Sequence, residues 1–367
     1  SSAISAVLQD LSSEKIQSFS VVFPELSPEL KARADESEYS AAVVKKSGMH
    51  MNRVPITKFN FINNIKENSA FFEEPFMATN TYIYEEVFKA MKEKGVDIVL
   101  DGTDGDSVIS HGTEIFRYYG DKFEIRKLLK EKRAYDKVHS IKHSALRTII
   151  SFVIVPKVPK WLSRPIKRIK KTDFFHSQNI LLNKAYKKSN KRLYEDVDRI
   201  YNTKKLFGNF SEKAHYMMVY KSHWDDVFNI LNTIAKKHSV EIRFPFFYQP
   251  LVDYCLNQPV MDKINNGVTR HNFREALKNK IPKKIYERSS KSDLSPIFTE
   301  NFMKIDENYL EKVFFAKKSP IYGLVNQKEI KKLLDSRNPR KNLSIIYTFF
   351  SLYEWMKKNH FTVSIDK

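Results

Sequence analysis

Apolar residues recur at helical spacing from the first turn of the chain. Ile4, Val7, Leu8 and Leu11 follow Ser1-Ser2-Ala3 and predict an amphipathic opening helix. Ser18-Phe19-Ser20-Val21-Val22-Phe23 then reads as a buried strand, and residues 36–47 as an amphipathic helix closed by Gly48. A second short strand follows at His50-Met51-Asn52-Arg53-Val54, and residues 81–94 form a helix stopped by Gly95. Asp97-Ile98-Val99-Leu100-Asp101 is a third strand, apolar at its centre and followed at once by glycine. Strands with continuous apolar centres alternating with helices predict an α/β fold with a doubly wound parallel sheet covered on both faces.

From about residue 116 the strand signals fade. Residues 123–147 and 176–205 read as basic helices. Between them Ser151-Phe152-Val153-Ile154-Val155 leads into a run broken by Pro156, Pro159 and Pro165 and flanked by Lys157, Lys160, Arg164, Lys167 and Arg168. That pattern suits a membrane interface as well as a helix packed on its own body. Residues 213–238, 250–257 and 326–358 return to apolar-periodic helices. The chain therefore divides into an α/β core at 1–115, a basic and mainly helical insertion at 116–212, and a helical region at 213–367 that completes the site.

Composition sharpens this division. The 367 residues include 63 Lys+Arg and 43 Asp+Glu, a formal charge of +20. Residues 117–207 alone hold 25 basic and 8 acidic side chains, a net +17 that leaves +3 for the rest. A nearly neutral body thus carries one strongly basic segment, which reads either as a site for an acidic peptide or a membrane surface, or as a solvated helical face. A 42% hydrophobic and 13% aromatic content excludes a disordered chain. The single cysteine, Cys255, excludes a disulfide framework within the chain and a Cys-rich metal site. It reads as a core position on an apolar helix, and the default setting is a reducing cytoplasm. No apolar run of about 18 residues predicts a membrane span. The abrupt start, without Met or leader, suggests that the natural chain begins upstream.

The segment richest in chemistry is Leu100-Asp101-Gly102-Thr103-Asp104-Gly105-Asp106-Ser107-Val108-Ile109-Ser110-His111-Gly112. It lies where a strand ends, which is where open α/β sheets bind ligands. Glycines admit a phosphate close to the backbone, and aspartates beside it make sense when Mg²⁺ bridges carboxylate and pyrophosphate oxygens. A plain tight turn has the same composition. Further runs accompany it: Asp35-Glu36-Ser37-Glu38-Tyr39, Ser47-Gly48-Met49-His50, and Glu241-Ile242-Arg243-Phe244-Pro245-Phe246-Phe247. Thr269-Arg270-His271-Asn272-Phe273-Arg274-Glu275-Ala276-Leu277 and Arg288-Ser289-Ser290-Lys291-Ser292-Asp293-Leu294-Ser295-Pro296 follow.

In that order these segments resemble the synthetase domain of the asparagine synthetase family, N-type ATP pyrophosphatases whose relatives include β-lactam synthetases and lasso-peptide macrolactam cyclases. The resemblance covers residues 1–112 and about 215–300 and implies an adenine nucleotide α-hydrolase-like fold. It also implies ATP and Mg²⁺ as cofactors and a two-step reaction, in which a small-molecule or peptide carboxylate is adenylated and then attacked by ammonia or an amine. A glutaminase domain, upstream or separate, is one source of that ammonia. Asp106 matches the metal-holding aspartate, with Gly102 and Gly105 shaping its turn. Ser2, and Ser1 beside it, match the end of a Ser-Gly-Gly-x-Asp-Ser-Ser pyrophosphate loop, and Val21 and Phe23 the strand beside the adenine. Lys291 matches a lysine that neutralises phosphate charge, and Arg270 and Arg288 occupy neighbouring basic positions.

The departures bear on the substrate. Thr103 stands where the family often has Glu, so Asp104 becomes the candidate general base. Arg270 replaces the usual lysine, Tyr248 replaces an acid, and Arg288-Ser-Ser-Lys291 is one residue longer than the family spacing. His50 and His111 fall in matched runs without an assigned role. Three other readings stay open: a macrolactam cyclase, a tRNA-modifying pyrophosphatase, and a nucleotide-binding relative without catalysis. The near-neutral body does not call for nucleic acid.

Overall fold

The computed structural model describes residues 1–57, 60–76, 78, 80–158, 181–192, 210–220, 223–289, 292, 300, 302, 304–335 and 343–363. Strand β1 (Gln17–Val22) pairs in parallel with β2 (His50–Pro55), placing Val21 opposite Val54. Helix Ser37–Ser47 packs on both strands and makes the crossover between them. It ends at Gly48, whose φ of 78° lets its amide reach back to the Val44 carbonyl. After helix Thr81–Glu93 comes β3 (Ile98–Leu100), which pairs in parallel with β4 (Glu241–Arg243) across the whole basic segment.

The elements expected within residues 1–112 are present at nearly the expected bounds. The helix expected at 123–147 is interrupted after Val138, that at 213–238 is two helices (Phe210–Val219 and His223–Lys237), and most of 176–205 lies outside the described residues. Among the described residues, however, the parallel strands form two separate pairs instead of one continuous sheet. The architecture is mixed α/β, mostly helical with small parallel sheets. One physical reason lies in β3, where an apolar run of three residues sits between Asp97 and Asp101 and gives three ladder positions.

The largest core cluster packs helices against β3 and β4, taking in Val99 and Ile242. Helix Thr81–Glu93 contributes Phe88, helix His223–Lys237 contributes Ile234, and the closing helix Leu343–Lys358 contributes Ile346, Tyr347 and Phe350, all essentially buried. Edge-on aromatic contacts, such as Phe61 of helix Phe61–Asn68 against Tyr347 at 5.3 Å, tie a further helix to the closing one. Two smaller clusters support the strand ends. Phe23, Val54, Ile56, Tyr82 and Ile83 pack beneath β1 and β2. Val108, Ile109, Phe246, Val252 and Cys255 pack beneath the turn after β3, with Ala3 and Ile4 of helix Ser2–Leu11 against them. Cys255 is thus a core residue on helix Gln249–Asn257, as its apolar surroundings predict.

A hairpin sets the position of the helix that follows it, His271–Leu277. β5 (Ile264–Asn265) and β6 (Val268–Thr269) are antiparallel and joined by Asn266-Gly267, both at positive φ (47° and 80°), the backbone of a type I′ turn. Gly267 packs so closely on helix Ile125–Val138 that a Cβ there would stand 2.4 Å from backbone atoms of Ala134 and Tyr135. Its amide donates to Glu131 Oε1 at 2.7 Å. Gly267→Ala combines a left-handed backbone with a backbone collision, and should destabilise the protein by about 2 kcal/mol or more. Chemical denaturation measures this directly; an unchanged midpoint would show that the hairpin is free to shift.

Candidate active site

The turn after β3 is held by its own side chains. The Asp101 carboxylate accepts the Thr103 amide at 2.8 Å and also the Thr103 hydroxyl. Tyr84 from helix Thr81–Glu93 bonds the same hydroxyl at 3.2 Å. Burial first, and then the charge of Asp101, push the Tyr84 phenol far above its usual range, so it remains a neutral hydrogen-bonding group. Thr103, the departure from the family acid, is therefore committed to shaping the turn. Asp104 follows in the left-handed region, at φ 51°, and stands at the N-cap of the short helix Gly105–Ile109.

Both glycines of the turn answer to close approaches. A Cβ at Gly102 would lie 2.4 Å from the Ser1 nitrogen, and one at Gly105 would lie 2.6 Å from the Phe246 ring. The first of these brings the start of the chain and the turn against each other. Ser2 opens helix Ser2–Leu11, and the Ser1 carbonyl accepts the Ser5 amide at 2.9 Å.

Asp106 occupies the first turn of helix Gly105–Ile109 and forms an ion pair with Arg270; His111 Nε2 stands 3.8 Å from its other oxygen. Arg270 follows β6 directly and takes the left-handed conformation, φ 56°, that starts helix His271–Leu277. Arg274, one turn later, donates to three backbone carbonyls: Thr269 at 2.9 Å, Arg288 at 2.7 Å, and Tyr286. It thereby fixes the loop that bears Arg288. Arg288 in turn donates to Ser292 at 2.8 Å, pairs with Glu36 at 2.9 Å, and lies over the Tyr39 ring at 3.9 Å. The run Asp35-Glu36-Ser37-Glu38-Tyr39 belongs to the site's wall through these contacts.

With this geometry in place, comparison with known families is decisive. The asparagine synthase family model matches residues 1–357. The chain belongs to the asparagine synthase family. No individual curated protein matches it. Family membership carries ATP use and amide-ligase-type chemistry as its coarse implication.

The sequence-derived candidates of this asparagine synthase family chain separate into groups. Ser1, Gly102, Gly105, Asp106 and Arg270 come together at one strand end, with Asp104 in the same turn and Arg288 tied to it through Arg274. Val21 is half-buried opposite Val54, and Phe23 is 3% exposed within the cluster beneath β1 and β2. Lys291 lies outside the described residues, as do Lys160, Arg164, Lys167 and Arg168. The Nε atoms of Arg270 and Arg288 are buried and lack a hydrogen-bond partner among the described residues. Buried donors of that kind are expensive to leave unmade, and an oxyanion satisfies them.

Sequence reasoning missed a buried network behind the turn. His215, on helix Phe210–Val219, places Nε2 at 3.0 Å and 2.9 Å from the Ser107 and Val108 carbonyls. Carbonyls only accept, so Nε2 carries the proton and Nδ1 accepts from Lys263 Nζ at 2.8 Å. Lys263 is 3% exposed, and Glu114, the nearby acid that favours its charge, is 8% exposed. Glu114 accepts from the Ser110 hydroxyl at 2.7 Å, and that hydroxyl receives the Gly112 amide at 3.0 Å. No local motif announces this set, because His215 and the turn are joined only by the fold.

Burial, followed by the neighbouring Lys263 charge, holds the His215 pKa below its usual 6.5. Below that pH the unfolded chain binds a proton that the folded imidazole refuses, so stability falls as pH drops through this window. His139 and His238, also lowered by burial, contribute in the same direction. Urea midpoints measured from about pH 7.5 to about 5.5 should therefore decline, and His215→Gln should decline less steeply. Equal slopes would place no proton-linked stability at His215.

Proposed function

We propose that this chain is an ATP-dependent, AMP-forming amide ligase of the asparagine synthase type. On this reading the two parallel pairs belong to an adenine nucleotide α-hydrolase-like core in which 1–115 supplies β1, β2 and β3, and 213–367 completes it with β4, Arg270 and Arg288. The observation that carries the proposal is the meeting of Asp106, Arg270 and the Ser1–Gly102 contact at one strand end, with buried guanidinium Nε–H groups left to donate.

The chemistry runs in two displacements. A small-molecule or peptide carboxylate oxygen attacks the α-phosphorus of ATP, the bond to the β-phosphate oxygen breaks, and pyrophosphate leaves. Ammonia or an amine then attacks the acyl carbon, loses a proton, and AMP departs with the carbon–oxygen bond pair. Both steps gather negative charge on phosphate oxygens, which fixed cations and donors stabilise without reorganising. Arg270 and Arg288 supply planar donor forks for those oxygens, and Lys291 adds a point charge by family correspondence. Ser1 and Ser2 would line the pyrophosphate side. Thr103 has no basic group, so Asp104 is the carboxylate of the turn assigned to accept the amine proton.

Among the described residues no cluster of three or more His, Cys, Asp or Glu side chains is placed to hold a metal. A single carboxylate such as Asp106 is compatible with Mg²⁺, which commonly takes one or two protein carboxylates and completes its shell with substrate phosphates and water. Asp106 would hold it, and the ion would supply charge neutralisation at the phosphates. The pair with Arg270 keeps the carboxylate compensated in the meantime.

ATP binding measured by calorimetry tests this reading. Binding should be tighter with Mg²⁺ than in EDTA, and Asp106→Asn should remove most of that difference. Arg270→Met should weaken ATP by roughly tenfold or more, the worth of a lost charge-assisted hydrogen bond of about 1.5–3 kcal/mol. Absence of ATP binding by the unaltered protein would overturn the function. A full magnesium effect in Asp106→Asn would overturn the metal assignment.

A further inference from the structure

The basic segment carries an apolar face that the ligase reading does not use. Helix Ala145–Ile149 runs without a break into a wider π-turn at Ile150–Ile154 and a tight turn at Val155–Lys157. One side of this run is packed: Thr148 and Val153 are buried, and Val153 joins Ile115, Phe116, Leu128 and Ile264 in a local core. The other side presents Leu146, Ile150 and Ile154, four residues apart, with Val155 beside them. Their exposures are 67%, 40%, 50% and 43%. A stripe of four large aliphatic side chains in water is costly, and an array of this kind marks a surface built for contact.

The charge around the stripe is mainly basic, and Asp121 and Glu124, which flank Phe123, are paired with Arg117 and Lys127. Arg147 and Lys157 are exposed along it, and Lys157 Nζ stands 3.0 Å from the ring centroid of Phe123, itself 63% exposed. Phe123 is held at φ 59°, a conformation unusual for a bulky residue, at the end of helix Glu114–Asp121. At the other end of the stripe lies an open concavity of about 490 Å³ bordered by Arg133, Lys137, Lys142 and His143. The carboxylate that also lines it, Asp136, is buried against Lys132 and is thus already neutralised. In the sequence, ten Lys and Arg and no Asp or Glu lie between Asp136 and Asp173.

We propose that this face docks on an anionic lipid surface, with Leu146, Ile150, Ile154 and Val155 entering the headgroup–acyl boundary. Arg147, Lys157 and the cations of the concavity meet lipid phosphates. Aliphatic side chains on one side with basic ones at its border, and no acid between, form the pattern of an interfacial element. No helix among the described residues is long and apolar enough to cross a membrane, so the contact is peripheral. The proposal is independent of the ligase reading, since none of these residues belongs to the site at β3.

Sedimentation with vesicles tests it. The protein should pellet with vesicles of phosphatidylcholine mixed with phosphatidylglycerol, and much less with phosphatidylcholine alone or at high salt. Ile150→Asp with Ile154→Asp should lower partitioning roughly tenfold or more while ATP binding is unaltered. Leu146→Glu, at the most exposed position, and Arg147→Glu with Lys157→Glu should each reduce partitioning with an unchanged thermal midpoint, which separates docking from folding. No pelleting with anionic vesicles would overturn the proposal. So would unaltered partitioning in these variants, or a preference for a soluble acidic amphipathic peptide over the vesicles.

Discussion

A helix of five residues has too few hydrogen bonds to sustain itself in water, and the one that carries Asp106 spans only Gly105–Ile109. Its position is imposed from outside. The Asp101–Thr103–Tyr84 bonds fix its entry, Phe246 packs on Gly105, and His215 binds the carbonyls of Ser107 and Val108. Tyr84, Phe246 and His215 come from distant parts of the chain, so the position of Asp106 depends on the whole fold being closed. The local sequence is free to be strained there, with Asp104 and Ser110 both at positive φ, because the surroundings determine it.

The same logic explains the buried charge behind the turn. An isolated buried lysine is strongly disfavoured, and burial lowers the Lys263 pKa. The imidazole nitrogen and the field of Glu114 offset that cost, and the hydroxyl of Ser110 anchors Glu114 in place. A hydrophobic pair could fill the space, yet it would leave two helix carbonyls without donors. The network thus converts stability into placement of a functional backbone segment.

Much of this was legible in the residues. The strands at 18–23, 50–54 and 97–101 and the helices capped by Gly48 and Gly95 follow from periodicity and glycine alone. The grouping of Gly102, Asp106 and Arg270 was implied by the resemblance to the family, not by the periodicity of the residues, and the fold brings the three together. Three things were not legible. The split of the parallel strands into two pairs depends on ladder lengths that apolar runs only bound. Thr103 looked like a missing acid until Asp101 and Tyr84 were placed around it. His215, Lys263 and Glu114 are ordinary helix residues in sequence, and only packing brings them behind the turn. Asn266-Gly267, by contrast, is a strong hairpin signal that periodicity-based reading passed over because its strands are two residues long.

Arg274 has a consequence for motion. Its guanidinium spans the carbonyls of Thr269, Tyr286 and Arg288, so it fastens the hairpin exit, the helix bearing Arg270 and the loop bearing Arg288 into one block. Arg270 and Arg288 are therefore mechanically coupled. On the proposed reading, a nucleotide that drew one of them inward would draw the other with it, and Glu36 and Tyr39 would follow through Arg288. Engagement of a polyphosphate would then be a concerted event, in which a shorter anion that reached one guanidinium would gain only part of the binding energy.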